Sequence, residues 1–374
     1  MQRLYRYNHP MNKRIAYIDI AKGLGILVIV LAHNDLAAYH PTLHKFIYAF
    51  HIPLFFFLSG MFFRPERTFG NTLRRRFNTL LKPYLFTIFL IYLGEATFSN
   101  MTFPVILERI QKAMYATGKY IDWVQLWFIP HLFAVALFAW IAWRVLFGRV
   151  KWDGLRWVLM LAMLAVGVFT MPYFWPFTAP VINKELFGLP FSLDLVLASG
   201  FFFLAGYEVN QRPLEKFFAS PFVLAGTFGL LFAMIWFLPP TLDFNTRLYP
   251  SFAINSVEAL LGIAMILSLA RNLEKWSTRL AGVFSYFGRI SLVILIFHVP
   301  IQETVYGKFI RLGIPTDPSI ALAFLCGVLV PAFIYELAIH LNPRLRPWFG
   351  FAAEEKANEA TEVATTPAKP TSVG

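Results

Sequence analysis

The sequence predicts an all-α integral membrane protein, a bundle of about ten transmembrane helices with both termini cytoplasmic. Of its 374 residues, 57% are hydrophobic and only 14% are charged, whereas a soluble domain carries about 25% charged residues. The apolar residues are grouped in runs of about 20, the length of helix that crosses a bilayer. A soluble protein of this size would need more charged side chains than this to cover its surface. The excess apolar residues must therefore face lipid.

Ten apolar runs are predicted to form the transmembrane helices. The first run follows a basic stretch, as a signal peptide would, but it contains Asp19 and Lys22 and lacks a convincing cleavage site. We therefore expect it to be retained as a helix. The runs lie near 16–37, 46–63, 79–98, 126–147, 155–175, 191–209, 218–238, 252–270, 281–305 and 318–341.

The basic residues set the orientation. The net charge of +12 is scattered between apolar runs, which excludes a basic nucleic-acid-binding domain and points to the cytoplasmic membrane face as the partner of these cations. An N-terminus inside gives about 20 inner cations against about 8 outer ones. The single cysteine, Cys326, excludes an intramolecular disulfide framework and any metal cluster built on several cysteines.

Three segments follow from this topology. Residues 1–15 are predicted to be a cytoplasmic N-terminal segment, 16–341 the ten-helix transmembrane domain, and 342–374 a cytoplasmic tail that is mostly disordered. The longest outer connection, 99–125, has the spacing of a short amphipathic helix that would lie on the membrane surface.

A polar stripe is predicted on the first helix. Lys22 and His33 are eleven residues apart, which leaves them about 20° apart around the helix axis and about 16 Å apart along it. Asp19 lies roughly 60° from Lys22 on the same helical wheel. Ionisable residues inside a membrane are costly and are functional candidates by default, so this stripe should face the bundle interior.

Other polar residues divide between the two membrane faces. Histidines and carboxylates are predicted in the outer third, at the depth of His33: His51, His131, His298, Glu95, Asp194 and Glu258. Cations are predicted in the inner half: Lys22, Lys82, Arg289 and the run Arg74, Arg75, Arg76. The arginine run also fits an ordinary positive-inside anchor. His33 also fits a packed polar residue between helices, and His51 and His131 also fit histidines at helix ends in the membrane interface.

This division suggests a polyanionic donor held at the inner face and acid–base chemistry on imidazoles near the outer face. Acetyl-CoA has a suitable shape, because its phosphates can stay inside while its thioester reaches into the bundle. The separation of about 16 Å between Lys22 and His33 is of the order of a pantetheine arm. No permanently bound cofactor and no metal are expected.

Five segments carry a resemblance to a known family. YIDIAKGLGILVIVLAH, which holds Lys22 and His33, resembles the first helix of the acyltransferase-3 family of membrane O-acyltransferases, with its basic residue, ten intervening positions and histidine. FHIPLFFFLSGMFF and LRRRFNTLLKPYLF resemble the next helix pair, and LWFIPHLF with Trp127 and ISLVILIFHVPI with His298 fit later blocks. The form of the second block is most similar to the fucose 4-O-acetylase-like branch.

The resemblance implies transfer of an acyl group, usually acetyl from acetyl-CoA, to a hydroxyl of a carbohydrate or lipid-linked glycan in the bacterial cytoplasmic membrane. Lys22 stands where many members have arginine, which keeps the charge but loses the bidentate fork. The chain lacks the extracytoplasmic hydrolase-like domain of some members, so we expect it to act alone or with a glycan-biosynthesis partner.

The predicted site has three parts. His33 is the expected general base, with Lys22 and Asp19 completing the catalytic set, and a covalent acetyl-histidine relay is the alternative chemistry. The predicted donor-binding residues are Arg74, Arg75, Arg76, Lys82 and Arg289. The predicted acceptor-site residues are His51, His131, His298, Glu95, Glu258 and Trp127.

Two other classes of protein remain compatible with this pattern. A glycan or lipid transporter also combines many helices with polar residues at mid-membrane, although no internal repeat or paired helix interruption is found. A non-catalytic scaffold would leave the layer of histidines unexplained.

Overall fold

The computed structural model describes residues 16–98, 102–179, 184–238 and 242–351. The predicted N-terminal segment 1–15 and the predicted disordered tail from residue 352 lie outside these residues. Residues 342–351 are described, and they end in a 3₁₀ turn, Arg346–Phe349, whose Trp348 ring stacks 5.1 Å from Phe86.

Helices form almost the whole described chain. In order they are α1 (Ala16–Ala32), α2 (Leu36–Tyr39), α3 (Pro41–Tyr48), α4 (His51–Gly60), α5 (Phe69–Arg76), α6 (Lys82–Phe98), α7 (Phe103–Tyr115), α8 (Phe128–Val145), α9 (Asp153–Thr170), α10 (Val196–Asn210), α11 (Glu215–Phe218), α12 (Pro221–Phe237), α13 (Phe252–Trp276), α14 (Thr278–Arg289), α15 (Ser291–Arg311) and α16 (Thr316–Ile334). Two short strands, β1 (Phe177–Ala179) and β2 (Lys184–Leu186), pair antiparallel.

Eight helical stretches in the described residues are long and apolar enough to cross a membrane. They are Pro41–Gly60, Phe69–Phe98, Val124–Arg149, Asp153–Phe174, Pro190–Asn210, Phe252–Trp276, Ser291–Arg311 and Thr316–His340. The other two predicted spans, 16–37 and 218–238, correspond to α1 and α12, each 17 residues long, which is the lower limit for a crossing.

Two boundaries differ from the prediction. The run 281–305 is predicted as one helix, but the structure divides it at Ile290 into α14, which ends at Arg289, and α15. The prediction missed this break because the hydrophobic pattern of the sequence gives no sign of it. The predicted run 79–98 begins too late, because the helical stretch Phe69–Phe98 is continuous. A π-helical turn, Phe77–Leu81, joins α5 to α6 directly after the three arginines.

Helix α1 lies inside the bundle, packed against α13, α14, α15 and α4. It approaches α14 closely at Gly23, where a Cβ atom would overlap the main-chain carbonyl of Phe284. Gly60 at the end of α4 meets the carbonyl of Phe203 on α10 in the same way. Glycine is required at both positions because any side chain would force the two helices apart.

The predicted amphipathic segment is a helix, α7. Exposed apolar side chains recur on it at helical spacing, at Phe103, Leu107, Ile110 and Met114. Two tyrosines of α6 hold its other side: the Tyr84 hydroxyl donates to the Ala113 carbonyl at 2.5 Å and the Tyr92 hydroxyl to the Arg109 carbonyl at 3.1 Å. Its position on a membrane surface stays a prediction.

Candidate active site

The stripe on α1 connects two different environments. Asp19 is buried near the start of the helix, and Lys22 and His33 are half-buried. Lys22 and His33, which directly follows the last residue of α1, are eleven positions apart, or about 16 Å along the helix axis. We call the end of the bundle near Lys22 the basic end and the end near His33 the histidine end.

A cluster of arginines forms the basic end. A cleft of about 20 Å³ is lined by Phe62, Phe63, Arg64, Arg67, Thr72, Arg75 and Arg76. Lys22 adjoins it, because the Lys22 ammonium lies 4.3 Å from the centre of the Phe62 ring. Four guanidinium groups around one cleft repel one another, and a bound polyanion would relieve that repulsion. The cleft is narrow, and the Arg75 side chain that lines it is exposed to solvent.

The predicted donor-binding residues are only partly brought together. Arg75 and Arg76 line the cleft, whereas the exposed Arg74 side chain does not. Lys82 lies over the Trp348 ring at 5.5 Å, and Arg289 donates to the Ser285 hydroxyl at 3.3 Å on the exposed side of α14.

Two arginines of the cleft were missed from the sequence. Arg64 and Arg67 lie in the connection between α4 and α5, and the positive-inside rule accounted for both of them. The Arg67 carbonyl accepts a hydrogen bond of 2.9 Å from the Trp140 indole of α8, which fixes this connection.

His33 and His298 meet at the histidine end. Their rings lie edge to face with centres 5.2 Å apart. Each Nδ1 is within hydrogen-bond distance of a main-chain carbonyl oxygen. The distance is 3.0 Å from His33 Nδ1 to the Ile29 oxygen and 2.9 Å from His298 Nδ1 to the Ile294 oxygen. A carbonyl only accepts, so we assign the proton of each neutral ring to Nδ1 and the lone pair to Nε2. Each ring is therefore held in the tautomer that a general base requires.

Further groups lie around this pair. His51 bonds the Ile47 carbonyl through Nδ1 at 3.1 Å, and its ring lies 4.6 Å from that of Tyr48. His33 is near enough to His51 to act on it electrostatically, and the Asp243 carboxylate is near enough to act on His33. Asp243 was missed because it lies in an outer connection.

His131 and Trp127 form a separate group. The His131 ring stacks on Trp127 at 5.6 Å, its Nδ1 lies 3.1 Å from the Phe191 carbonyl, and its Nε2 lies 2.8 Å from the Ser199 hydroxyl. Both ring nitrogens are therefore engaged. These contacts join α8 to α10 and to the turn that precedes α10.

The two predicted acceptor-site carboxylates each accept a hydrogen bond from a neighbouring side chain. Glu95 accepts a hydrogen bond of 2.6 Å from Arg109 on α7, and this bond raises the pKa of the Arg109 guanidinium. Glu95 also lines a cavity of about 510 Å³ whose walls are mostly apolar. Glu258 is buried on α13 and accepts from the Asn255 amide at 2.9 Å.

A buried ion pair fastens the connections at the histidine end. Asp194 accepts two hydrogen bonds from Arg247, of 2.8 and 3.1 Å, and both side chains are buried. The Arg247 guanidinium also lies 4.3 Å from the Trp175 ring. Asp243 and Arg247 belong to one tight turn, closed by paired main-chain bonds between Asp243 and Leu248. The ion pair therefore fixes the turn that carries Asp243.

Comparison with models of protein families assigns the chain to a family. The model of the acyltransferase domain known as acyltransferase-3 matches residues 15–337. The chain belongs to the acyltransferase-3 family. This acyltransferase is an enzyme that transfers groups other than amino-acyl groups, and its apolar helices make it a multi-pass membrane protein. No curated protein and no solved structure gives a significant match to the chain.

Family membership decides between the classes left open by the sequence. It favours the enzyme over the transporter and the scaffold, and it covers every helix from α1 to α16. The match includes both the arginine cleft and the histidine pair, so both belong to the acyltransferase domain.

Proposed function

We propose that this acyltransferase moves an acetyl group from acetyl-CoA to a sugar hydroxyl of a surface glycan, exopolysaccharide or glycolipid, with His33 as general base. The observation that carries the proposal is the course of α1, which runs from the arginine cleft beside Lys22 to the paired imidazoles of His33 and His298. The charged head of acetyl-CoA would suit the basic end, and its thin arm would suit the distance from there to the histidine end.

In the proposed reaction the acceptor hydroxyl gives its proton to Nε2 of His33 while its oxygen attacks the thioester carbonyl. The carbon–sulfur bond breaks, the acetyl group becomes an ester, and the leaving thiolate takes the proton back from the imidazolium. The Asp243 carboxylate acts on His33 electrostatically, in the direction that favours that imidazolium. Positioned general-base catalysis of this kind contributes about 100- to 10,000-fold.

The donor phosphates would lie at the basic end. Arg64, Arg67, Arg75 and Arg76 would hold them, and the Lys22 ammonium would be next along the path toward His33. Arginine suits this role because its planar fork binds two phosphate oxygens at once.

The membrane arrangement that fits this reaction has ten crossings, with α1 and α12 added to the eight longer spans. Both termini and the basic end would be cytoplasmic, where acetyl-CoA is made, and the histidine end would face the other side of a bacterial inner membrane. The positive-inside rule supports this orientation. The fucose 4-O-acetylase-like branch remains the subgroup that the second sequence block favours.

The test is a transfer assay with the full-length protein in membranes. Radiolabelled acetyl-CoA is supplied together with polysaccharide and lipid extracted from source cells that lack the gene, so that the native acceptor is present and unmodified. We expect label in the carbohydrate and release of CoA. Acceptor movement without acetyl-CoA and without label would contradict the proposal and would favour a carrier.

A further inference from the structure

Two buried hydrogen-bond acceptors lie on one face of α15. His298 and Gln302 are four residues apart, so their side chains are neighbours on the helix surface. Both residues are buried, and neither His298 Nε2 nor Gln302 Oε1 has a hydrogen-bond donor among the described residues. Buried acceptors are nearly always paired with a protein group, water or ligand, so each of these two requires an explanation.

The Gln302 amide is fixed in orientation. Its Nε2 donates to the Val30 carbonyl of α1 at 2.9 Å, which assigns the remaining atom as Oε1 because a carbonyl oxygen only accepts. Gly327 of α16 leaves room for this side chain, since a Cβ at that position would overlap Gln302 Cγ. Gln302 is thus held between α1 and α16 with its carbonyl oxygen unpaired.

The His298 ring is fixed in the same sense. Its Nδ1 lies 2.9 and 3.0 Å from the carbonyls of Ile294 and Leu295, so Nδ1 donates and Nε2 keeps its lone pair. The two residues therefore offer two acceptors and no donor, about 5–6 Å apart at their Cβ atoms, beside the His33 ring.

We propose that His298 Nε2 and Gln302 Oε1 form a hydroxyl-binding subsite that accepts hydrogen bonds from two neighbouring hydroxyl groups of the acyl acceptor. A polyhydroxylated ring supplies such donors, whereas a thioester and a choline headgroup supply none. The inference rests on the proposed function: neither of the hydroxyls held by His298 and Gln302 is the one acetylated, and together they orient the ring so that a third hydroxyl reaches His33. The acceptor must then carry two free hydroxyls besides the reacting one.

The chain supplies a matched control in Gln125. This glutamine is also buried, its Nε2 donates to the Ile296 carbonyl of α15 at 2.9 Å, and its Oε1 also has no donor among the described residues. It approaches α15 from the side where Trp123 packs against Phe297, with ring centres 6.3 Å apart. A purely structural role predicts similar consequences for the two glutamines, whereas a subsite predicts different ones.

The experiment compares Gln302→Leu and Gln125→Leu in the membrane transfer assay. Label transfer is measured against increasing amounts of the acceptor extract at fixed acetyl-CoA, and against increasing acetyl-CoA at fixed extract. For Gln302→Leu we expect the half-saturating amount of extract to rise roughly 10-fold, as for the loss of one hydrogen bond to a buried group. Its half-saturating acetyl-CoA should stay unchanged. Gln125→Leu should keep both values.

The alternative outcomes are distinct. Equal effects of the two substitutions, or an unchanged extract requirement for Gln302→Leu, would overturn the subsite. If Gln302→Leu does not accumulate in membranes, Gln302→Met, which keeps the length of the side chain between α1 and α16, is held to the same criteria. If the wild-type protein transfers no label, the proposed function fails and the subsite with it. Transfer by the wild type with an unaltered variant overturns the subsite alone.

Discussion

The imidazole rings of His33 and His298 lie edge to face, 5.2 Å apart, although His33 directly follows the first helix and His298 lies in the fifteenth. Each ring uses Nδ1 to bond a carbonyl of its own helix. The bundle therefore presents two basic nitrogens at one place and holds both in the same tautomer. One of them can take a proton from a hydroxyl while the other accepts a hydrogen bond from its neighbour.

Arg75 and Arg74 give a test of the donor site. Both side chains are exposed, but Arg75 lines the cleft and Arg74 does not. Because a hydrogen bond between charged groups is worth about 1.5–3 kcal/mol, Arg75→Ala should raise the KM for acetyl-CoA about 10- to 100-fold. Arg74→Ala should leave it near the wild-type value.

The same pair can be measured with S-acetylpantetheine, which lacks the nucleotide phosphates. The KM for this donor should be the same in the wild type and in Arg75→Ala. An Arg75→Ala defect that persists with the short donor would show that the arginine does not bind phosphate.

Lys22 should act through its charge. Lys22→Met removes the cation next to the arginine cleft and should lower kcat/KM for acetyl-CoA at least 10-fold, as expected for loss of one charged contact. Lys22→Arg keeps the cation, so it should retain most of the activity. Equal losses in both variants would mean that the shape of the side chain, rather than its charge, is required.

Gly60 should be a packing residue. A methyl group there would overlap the Phe203 carbonyl, whereas Gly226 on α12 has open space around its Cα. Gly60→Ala should therefore lower the melting temperature of the detergent-solubilised protein, since overpacking costs typically 1–3 kcal/mol. Gly226→Ala should be neutral or stabilising by up to about 1 kcal/mol. Similar melting temperatures for the two variants would argue against the close contact between α4 and α10.

The ion pair between Asp194 and Arg247 should contribute to the stability of the fold and should take no direct part in catalysis. Removing one partner leaves a buried charge without its partner, which costs about 3–5 kcal/mol. Arg247→Met should therefore lower the melting temperature strongly, and the double variant Asp194→Leu with Arg247→Met should recover part of the loss. A double variant less stable than either single variant would contradict this interpretation of the pair.

Local geometry could be predicted from the sequence, and contacts between distant segments could not. The interval between Lys22 and His33 gives their shared helix face directly, because helical rise and twist depend on spacing alone. The sequence also predicts that His298 lies at the depth of His33, but not that the two rings meet, since that contact depends on how α1 and α15 pack. The same limit explains why the partner of Asp194 was missed: Arg247 lies in a connection without periodicity.

The grouping of the inner cations could not be predicted from the sequence. The positive-inside rule accounts for the number of inner cations but not for their grouping, so Arg64 and Arg67 were not separated from the rest. Lys82 and Arg289 were grouped with the arginine run by depth. The described contacts of Lys82 are with Trp348, and those of Arg289 are with Ser285 and Tyr286. Depth along a helix does not determine position around the bundle.

The central claim is that His33 is the general base, and its most direct test is acetyl transfer by His33→Ala beside the control His44→Ala. His44 lies at the same end, with its ring 3.9 Å from that of Tyr48, so it matches His33 in residue type and location. We expect His33→Ala to accumulate in membranes with the wild-type melting temperature and to lose label transfer by about 100- to 10,000-fold, while His44→Ala stays within a few-fold of the wild type. Near-normal transfer by a folded His33→Ala protein would contradict the account.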